Sequence, residues 1–379
     1  MPGHFSVLKN DILESGKRIE PTLKYAINIA KNNIEKFHKW QKEEPRITET
    51  QPGVKCWRKS IPVEKVGLYI PGGSAPLFST LLMLGIPAKL AGCREIVVCT
   101  PPNTNGKVED IILYTAKVIG LDTIFCVGGA QAIGAMTFGT ESIPAVDKIF
   151  GPGNQYVTAA KQLSTLEGMA IDMPAGPSEV VVIADNSIPP VFVASDLLSQ
   201  AEHGPDSQVL LLTNSKLLLS AVIDEVNRQI ETLPRKEIAG QSLISGKAIL
   251  LDSISTAMDL ANLYAPEHLI IATENARELG GFVKSAGSVF IGKYSCESAG
   301  DYASGTNHTL PTNGFARSYS GVSLDSFFKK ITFQEISDDG LRNLGPTIEL
   351  LAEAESLQAH ANAVKIRRTY LDEKVNNES

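Results

Sequence analysis

The chain is short of several things, and each shortage removes a class of function. It lacks an excess of positive charge: Lys and Arg total 35 against 42 Asp and Glu, net −7 over 379 residues. The lack of a long basic run argues against a nucleic-acid surface and favours a small-molecule partner. It lacks a run near the ~20 apolar residues that cross a bilayer, since LLMLGIPAKLAG is interrupted by Pro87 and Lys89. Its first residues, MPGHFSVLKNDILESGKR, have no charged lead before an apolar block, so no signal peptide is expected. Cysteine is sparse: Cys56, Cys93, Cys99, Cys126 and Cys296 form no CxxC pair. A reduced, cytoplasmic protein follows from that usage. Aromatics are slightly low at 6%, but 43% hydrophobic and 20% charged residues describe an ordinary soluble globular protein. A chain of this length outgrows one core, so two or three packed units are expected.

Residues 22–40 (TLKYAINIAKNNIEKFHKW) place Leu23, Ala26, Ile27, Ala30, Ile34 and Phe37 three and four apart, the stripe of an amphipathic helix. From about residue 66 the pattern changes to short apolar runs closed by Gly, Pro or Asp: VGLYI, EIVVCT, TIFCVGG, VDKIFG and EVVVIAD, ending at 185. A second series follows, QVLLLT, AILLD, HLIIAT and SVFIG, ending at 292. Apolar strands alternating with helical stretches predict parallel sheets covered on both faces. Residues 293–322 are rich in Gly, Ser, Asn and Tyr and read as a long ordered loop, a kind that is usually functional. The tail from Pro346 to about Lys374 reads as helical, with little apolar surface for a core of its own.

Three glycine clusters follow strands: IPGGSAP (70–76), VGGAQAIGA (127–135) and FGPGNQYV (150–157). Each can offer backbone N–H groups to a phosphate at a strand's carboxyl end. None is GxGxxG, because Tyr156 stands where the third glycine belongs, so plain tight turns explain them as well as nucleotide binding does. In SQAEHGPDSQ (199–208), Gln200 and His203 are three apart before Gly204, which suits a helix end. A histidine there also complements the helix dipole, and Gln is an uncommon metal ligand, so the local reading favours a helix terminus over a metal site. Glu267 and His268 open a strand after a proline loop, where a carboxylate beside an imidazole gives two bases of different strength. A capped strand start explains them equally. Asp301 and His308 share the glycine-rich loop, where Asp301 also fits as a turn former. Glu355 and His360 lie five apart on the tail helix, about 140° around it. Of six histidines (His4, His38, His203, His268, His308 and His360), the last four all sit in motifs flanked by Gly, Pro or carboxylates.

The ordered series IPGGSAP, GGAQAIGA, GPGNQYV, IDMPAGPSEV, SDLLSQAEHGPDSQV, APEHL, AGSVFIG, ESAGDYASGTNHTLP and AESLQAHANAVKIR resembles the motifs of the histidinol dehydrogenase family across residues 66–366. The resemblance implies a zinc-dependent, NAD-linked oxidation of L-histidinol to L-histidine through L-histidinal. It implies two Rossmann-like α/β/α domains of aldehyde-dehydrogenase type, an N-terminal helical segment, a C-terminal helical dimerisation tail and a cytoplasmic homodimer. The expected segments are 1–60, 61–185 (NAD), 186–322 (zinc and substrate) and 323–379. By the same resemblance Gln200, His203, Asp301 and His360 match zinc ligands that also meet substrate, the last supplied by the partner subunit. Glu267 and His268 match the proton-transfer pair. Ser178, Glu355 and His308 match substrate contacts, with His268, and Tyr69, Gln131 and Asn154 match NAD contacts. Family members extend further ahead of the 22–40 helix, in a segment expected to contribute dimer contacts. Two other readings remain: a same-scaffold dehydrogenase of another small polar alcohol, against which Glu355 and His360 speak, and an inactive zinc-binding homologue, which predicts loss of Glu267 or His268.

Overall fold

The computed structural model describes residues 5–72, 76–174 and 176–378. His4, residues 73–75 of the IPGGSAP turn and Ala175 of PAGPSEV lie outside the described residues. By internal contacts the chain divides into two units, Met1–Gln41 with Val63–Phe327, and Lys42–Pro62 with Phe328–Ser379.

The first unit holds two five-stranded parallel sheets. One runs, in spatial order, Ile124–Cys126, Glu95–Thr100, Lys65–Tyr69, Lys148–Phe150, Ala170–Ile171. The other runs Lys247–Leu250, Gln208–Thr213, Glu179–Ala184, His268–Ala272, Ser288–Ile291. The nine apolar runs read from sequence are all strands. The strand Glu179–Ala184, which a boundary at 185 puts in the first domain, is instead the centre of the second sheet. An apolar run announces a strand but not which sheet it pairs in, and here both neighbours, Gln208–Thr213 and His268–Ala272, come later in the chain.

Side-chain alternation within that strand builds two cores. Val180 and Val182 pack with Val193, Leu197 and Leu211 on one face. Val181 and Ile183 pack with Ala257, Met258 and Leu269 on the other. All six residues of the strand are buried. Fully burying one such valine contributes about 1.5–3 kcal/mol, which fixes the register strongly. The helix Pro21–Trp40 starts on a proline and buries Ile27, Ala30, Ile34 and His38, while Leu23 and Phe37 of the expected stripe stay exposed. LLMLGIPAKLAG forms most of the helix Phe78–Ala91, buried nearly all round and closed by Gly92 at φ 87°. Among the described residues no helix is long and apolar enough to cross a membrane.

The second unit draws on both segments expected to be helical, 1–60 and 323–379, and contains strands as well. Ile47–Gln51, Val54–Pro62 and Phe328–Ile336 form an antiparallel sheet, followed by the helices Asp338–Ala354 and Gln358–Glu378. The helices are joined by Arg368 to Glu349 and Arg342 to Asp372, each at 2.9 Å. The strands escaped notice because most of their residues, such as ITETQ, are exposed and carry no apolar period.

Candidate active site

In the first sheet the chain winds outward from Lys65–Tyr69 through Glu95–Thr100 to Ile124–Cys126, then returns to lay Lys148–Phe150 on the other side. The reversal opens a crevice at the carboxyl ends of Lys65–Tyr69 and Lys148–Phe150. Gly151 follows the second of these with φ 125°, and a Cβ there would lie 2.1 Å from the Tyr69 carbonyl oxygen, so only glycine fits. Asn154 caps the helix Gln155–Ser164, its side-chain oxygen accepting from the N–H groups of Tyr156 and Val157 at 3.1 Å each. Tyr69 is buried, and its hydroxyl accepts from the Gly129 N–H at 3.1 Å, tying two glycine turns together. Gln131 is exposed in the first turn of Gly129–Phe138. The three residues matched to NAD thus end or follow three parallel strands of one sheet.

The second sheet presents its opposite edge. Glu267 and His268 open the strand His268–Ala272, beside Ser178 and Glu179 at the start of Glu179–Ala184. Glu179 holds both: its N–H donates to Glu267 Oε2 at 2.9 Å, and its carbonyl oxygen lies 3.2 Å from His268 Nδ1. A carbonyl only accepts, so Nδ1 carries the hydrogen and, in the neutral ring, Nε2 carries the lone pair. Nε2 lies 3.5 Å from Asp301 Oδ1, while Nδ1 lies 3.6 Å from Glu267 Oε2 and 4.0 Å from Glu297 Oε1.

Three carboxylates around one imidazole leave buried negative charge. Burial pushes Glu267 up to about 7 and Glu297 up to about 8. Burial alone lowers His268, but the attraction of Glu267, Glu297 and Asp301 prevails and raises it to about 10. Asp301 is held below its usual value: burial opposes this, and the hydrogen bond and charge of His268 outweigh it. Donor atoms of His203, Glu297 and Asp301 lie within 4.8 Å of one another. Gln200, wholly buried, has no hydrogen-bond partner among the described residues on either side-chain atom, nor has either oxygen of Glu297. Such atoms are costly to bury unpaired. Excess negative charge with a His and carboxylate donor set fits a divalent cation.

One crevice of the first unit is lined by Gly151 and Gly153 from the first sheet together with Ser178, Glu267 and His308. It draws on the carboxyl edge of one sheet and the amino edge of the other.

Several local expectations change. The helix Pro190–Ala201 ends before His203, which sits in the following turn with its N–H donating to the Gln200 carbonyl at 3.2 Å. Asp301 lies on a short helix, Glu297–Tyr302, not on a loop. His308 has both ring nitrogens engaged within the chain: Nδ1 donates to the Asp301 carbonyl at 2.8 Å and Nε2 accepts from the Thr80 hydroxyl at 3.2 Å. Glu355 and His360 do not share a helix, since Ser356 at φ 60° breaks it between them. Both are exposed residues of the second unit. Glu297 is the residue the sequence reading missed. Its signal is ESAGD, two carboxylates four apart and so on one helical face.

Two parallel sheets with this winding define an aldehyde-dehydrogenase-like scaffold. An aldehyde dehydrogenase of Bacillus cereus superposes with TM-score 0.54 at 13% identity, covering 86% of this chain and 83% of that one, a likeness of fold alone. The histidinol dehydrogenase family model matches residues 2–368. The chain is 60% identical to histidinol dehydrogenase of Bacteroides fragilis strain YCH46 over 96% of its own length and 85% of the relative's. Against the enzyme of Vibrio parahaemolyticus the identity is 54%, over 97% and 84%. The crystal structure of histidinol dehydrogenase from Elizabethkingia anophelis superposes with TM-score 0.96 at 59% identity, covering 98% of this chain and 86% of that one. The chain belongs to the histidinol dehydrogenase family, whose members are NAD-dependent oxidoreductases that use a metal.

Proposed function

We propose that the protein oxidises L-histidinol to L-histidine through L-histidinal, with zinc as its metal and two NAD as hydride acceptors. The observation that carries this reading is the buried set of Glu267, His268, Glu297 and Asp301, with His203 in reach of the last two and the buried, unpartnered amide of Gln200 three residues ahead of His203 in the chain. When bound, the metal orients the substrate's imidazole and amine, and NAD takes the hydride. Gln200, His203 and Asp301 would hold the metal, with His360 of the partner subunit completing the set. His268 Nε2 is the nitrogen that would take the hydroxyl proton, because Glu179 occupies Nδ1; it can do so only from the neutral ring, which requires that a bound cation offset the carboxylates that otherwise keep the imidazole charged. The aldehyde must be hydrated before a second hydride leaves, and Glu267 takes a proton from that water. Its raised pKa, near 7, suits a base working at neutral pH. Ser178 and Glu355 contact the substrate. Tyr69, Gln131 and Asn154 contact NAD. The doubly bonded ring of His308 supports a role in holding Asp301 over one in direct substrate contact.

A cytoplasmic homodimer belongs to the same proposal. Leu350, Leu351, Ile366 and Tyr370 are exposed on the two helices of the second unit, the second of which carries His360, an apolar surface suited to a second copy. The close approach of Glu267 and His268 argues against an inactive zinc-binding homologue. Purified protein given zinc, NAD and L-histidinol should form two NADH per histidinol consumed. One NADH with aldehyde accumulating, or no turnover with metal bound, would falsify the assignment.

A further inference from the structure

We propose that the buried ion pair Lys161–Asp172 is a positioning device that sets the shape of the NAD turn Gly151–Asn154. The inference rests on the NAD reading above. Lys161 and Asp172 lie 2.5 Å apart with side chains 5% and 1% exposed. Between them they take both backbone polar atoms of one residue. Lys161 Nζ donates to the Gly151 carbonyl at 2.8 Å, and the Gly151 N–H donates to Asp172 Oδ2 at 2.7 Å. Asp172 is itself fixed, since its Oδ1 accepts from the Met173 N–H at 2.7 Å and its N–H donates to the Ile149 carbonyl at 3.1 Å.

Gly151 is the residue that needs such a hold. Its φ of 125° lies where no ladder maintains it, and it passes against the Tyr69 carbonyl at the switch point of the sheet. A buried ion pair is a poor way to gain stability, because a well-packed apolar pair of similar size is often as good or better. Its use here follows from what it grips: an apolar pair would fill the same space but leave the Gly151 N–H and carbonyl unheld. Lys161, Asp172 and Gly151 all line the crevice that also contains Ser178 and Glu267. A shift of the turn therefore moves the cofactor relative to the proton-transfer residues.

The same argument supplies the test. The double variant Lys161→Met with Asp172→Leu removes both charges together and so avoids a lone buried ion. It should keep its circular dichroism and its zinc content. Its Kd and KM for NAD should rise on the order of tenfold to a hundredfold, as a misplaced binding group costs, while KM for histidinol stays within about twofold, and the single variant Lys161→Arg should recover part of the loss. A folded double variant that binds NAD as tightly as the wild type, or loses histidinol and NAD equally, overturns the inference. Wild-type protein that binds no NAD overturns the cofactor reading itself. Amide exchange of the wild type covers a variant that fails to fold: the Gly151 N–H should be strongly protected without NAD, and exchange at the rate of exposed loops overturns the clamp.

Discussion

The two parallel sheets share one winding, with the first strand at the centre, the second and third to one side and the fourth and fifth to the other. They are used from opposite ends. The first sheet offers its carboxyl edge, glycine turns and a helix start, where the switch point of a doubly wound sheet binds ligands. The second offers its amino edge, where Ser178, Glu267 and His268 open adjacent strands. At its own carboxyl-edge switch point polar groups bond to one another: Asp185 accepts from the Ser187 hydroxyl at 2.5 Å and the Glu274 N–H at 3.2 Å, and Ser215 is bonded to Asn186. Winding alone therefore does not locate a site. Uncharged backbone donors on one edge suit a phosphate-bearing cofactor, and a buried acidic cluster on the other suits a cation and proton transfer.

If this division of labour holds, damage to each edge should have its own signature. The largest effect is expected from His268→Asn, which keeps a donor for the Glu179 carbonyl but loses the base. Steady-state kinetics should show kcat lower by about 10²–10⁴-fold with NAD affinity unchanged. Next comes Glu297→Gln, which removes a buried acidic group facing His203 and Asp301. Competition titration should show zinc affinity lower by about 10–100-fold, while the metal-free protein should melt higher, since the cost of keeping that carboxyl buried and protonated is gone. On the other edge, Gly151→Ala forces a Cβ against the Tyr69 carbonyl. Thermal melting should report a loss of about 1–3 kcal/mol, accompanied by weaker NAD binding and unchanged zinc affinity.

The smallest effect is a pH dependence confined to the acidic edge. Glu267 and Glu297 are raised to about 7 and about 8 from an ordinary 4.5. Their contribution to stability is therefore complete below pH 4.5 and lost as pH rises through 7 and 8. His203 and His308, lowered by burial from 6.5, act in the opposite sense only below that pH. Metal-free protein should thus show a Tm that falls from pH 6.5 to about 8, with zinc adding more stability at the upper end. A Tm that rises across that interval would show that the acidic edge is not charged as described.

The strands of both sheets were legible because runs such as EVVVIAD are buried on both faces and need no periodicity to be seen. The antiparallel sheet of the second unit was not, because most of Phe328–Ile336 is exposed and its apolar residues follow no face. Glycine turns after strands were visible as candidates, yet only the backbone distance at Gly151 separates a cradle from a plain turn. The acidic edge was half legible. Glu267, His268 and Asp301 stand out by their flanking residues, whereas Glu297 is marked only by its burial and its place beside Asp301. Gln200 shows the limit of local reading: a glutamine in a last helical turn is unremarkable, and only its two unpartnered buried atoms distinguish it.

The most direct test is a crystal structure of the protein with zinc and NAD bound. The account predicts the metal on Gln200, His203 and Asp301, and the NAD pyrophosphate over the turn Gly151–Asn154. NAD seated instead at the carboxyl edge of the second sheet, beside Asp185 and Glu274, would contradict it.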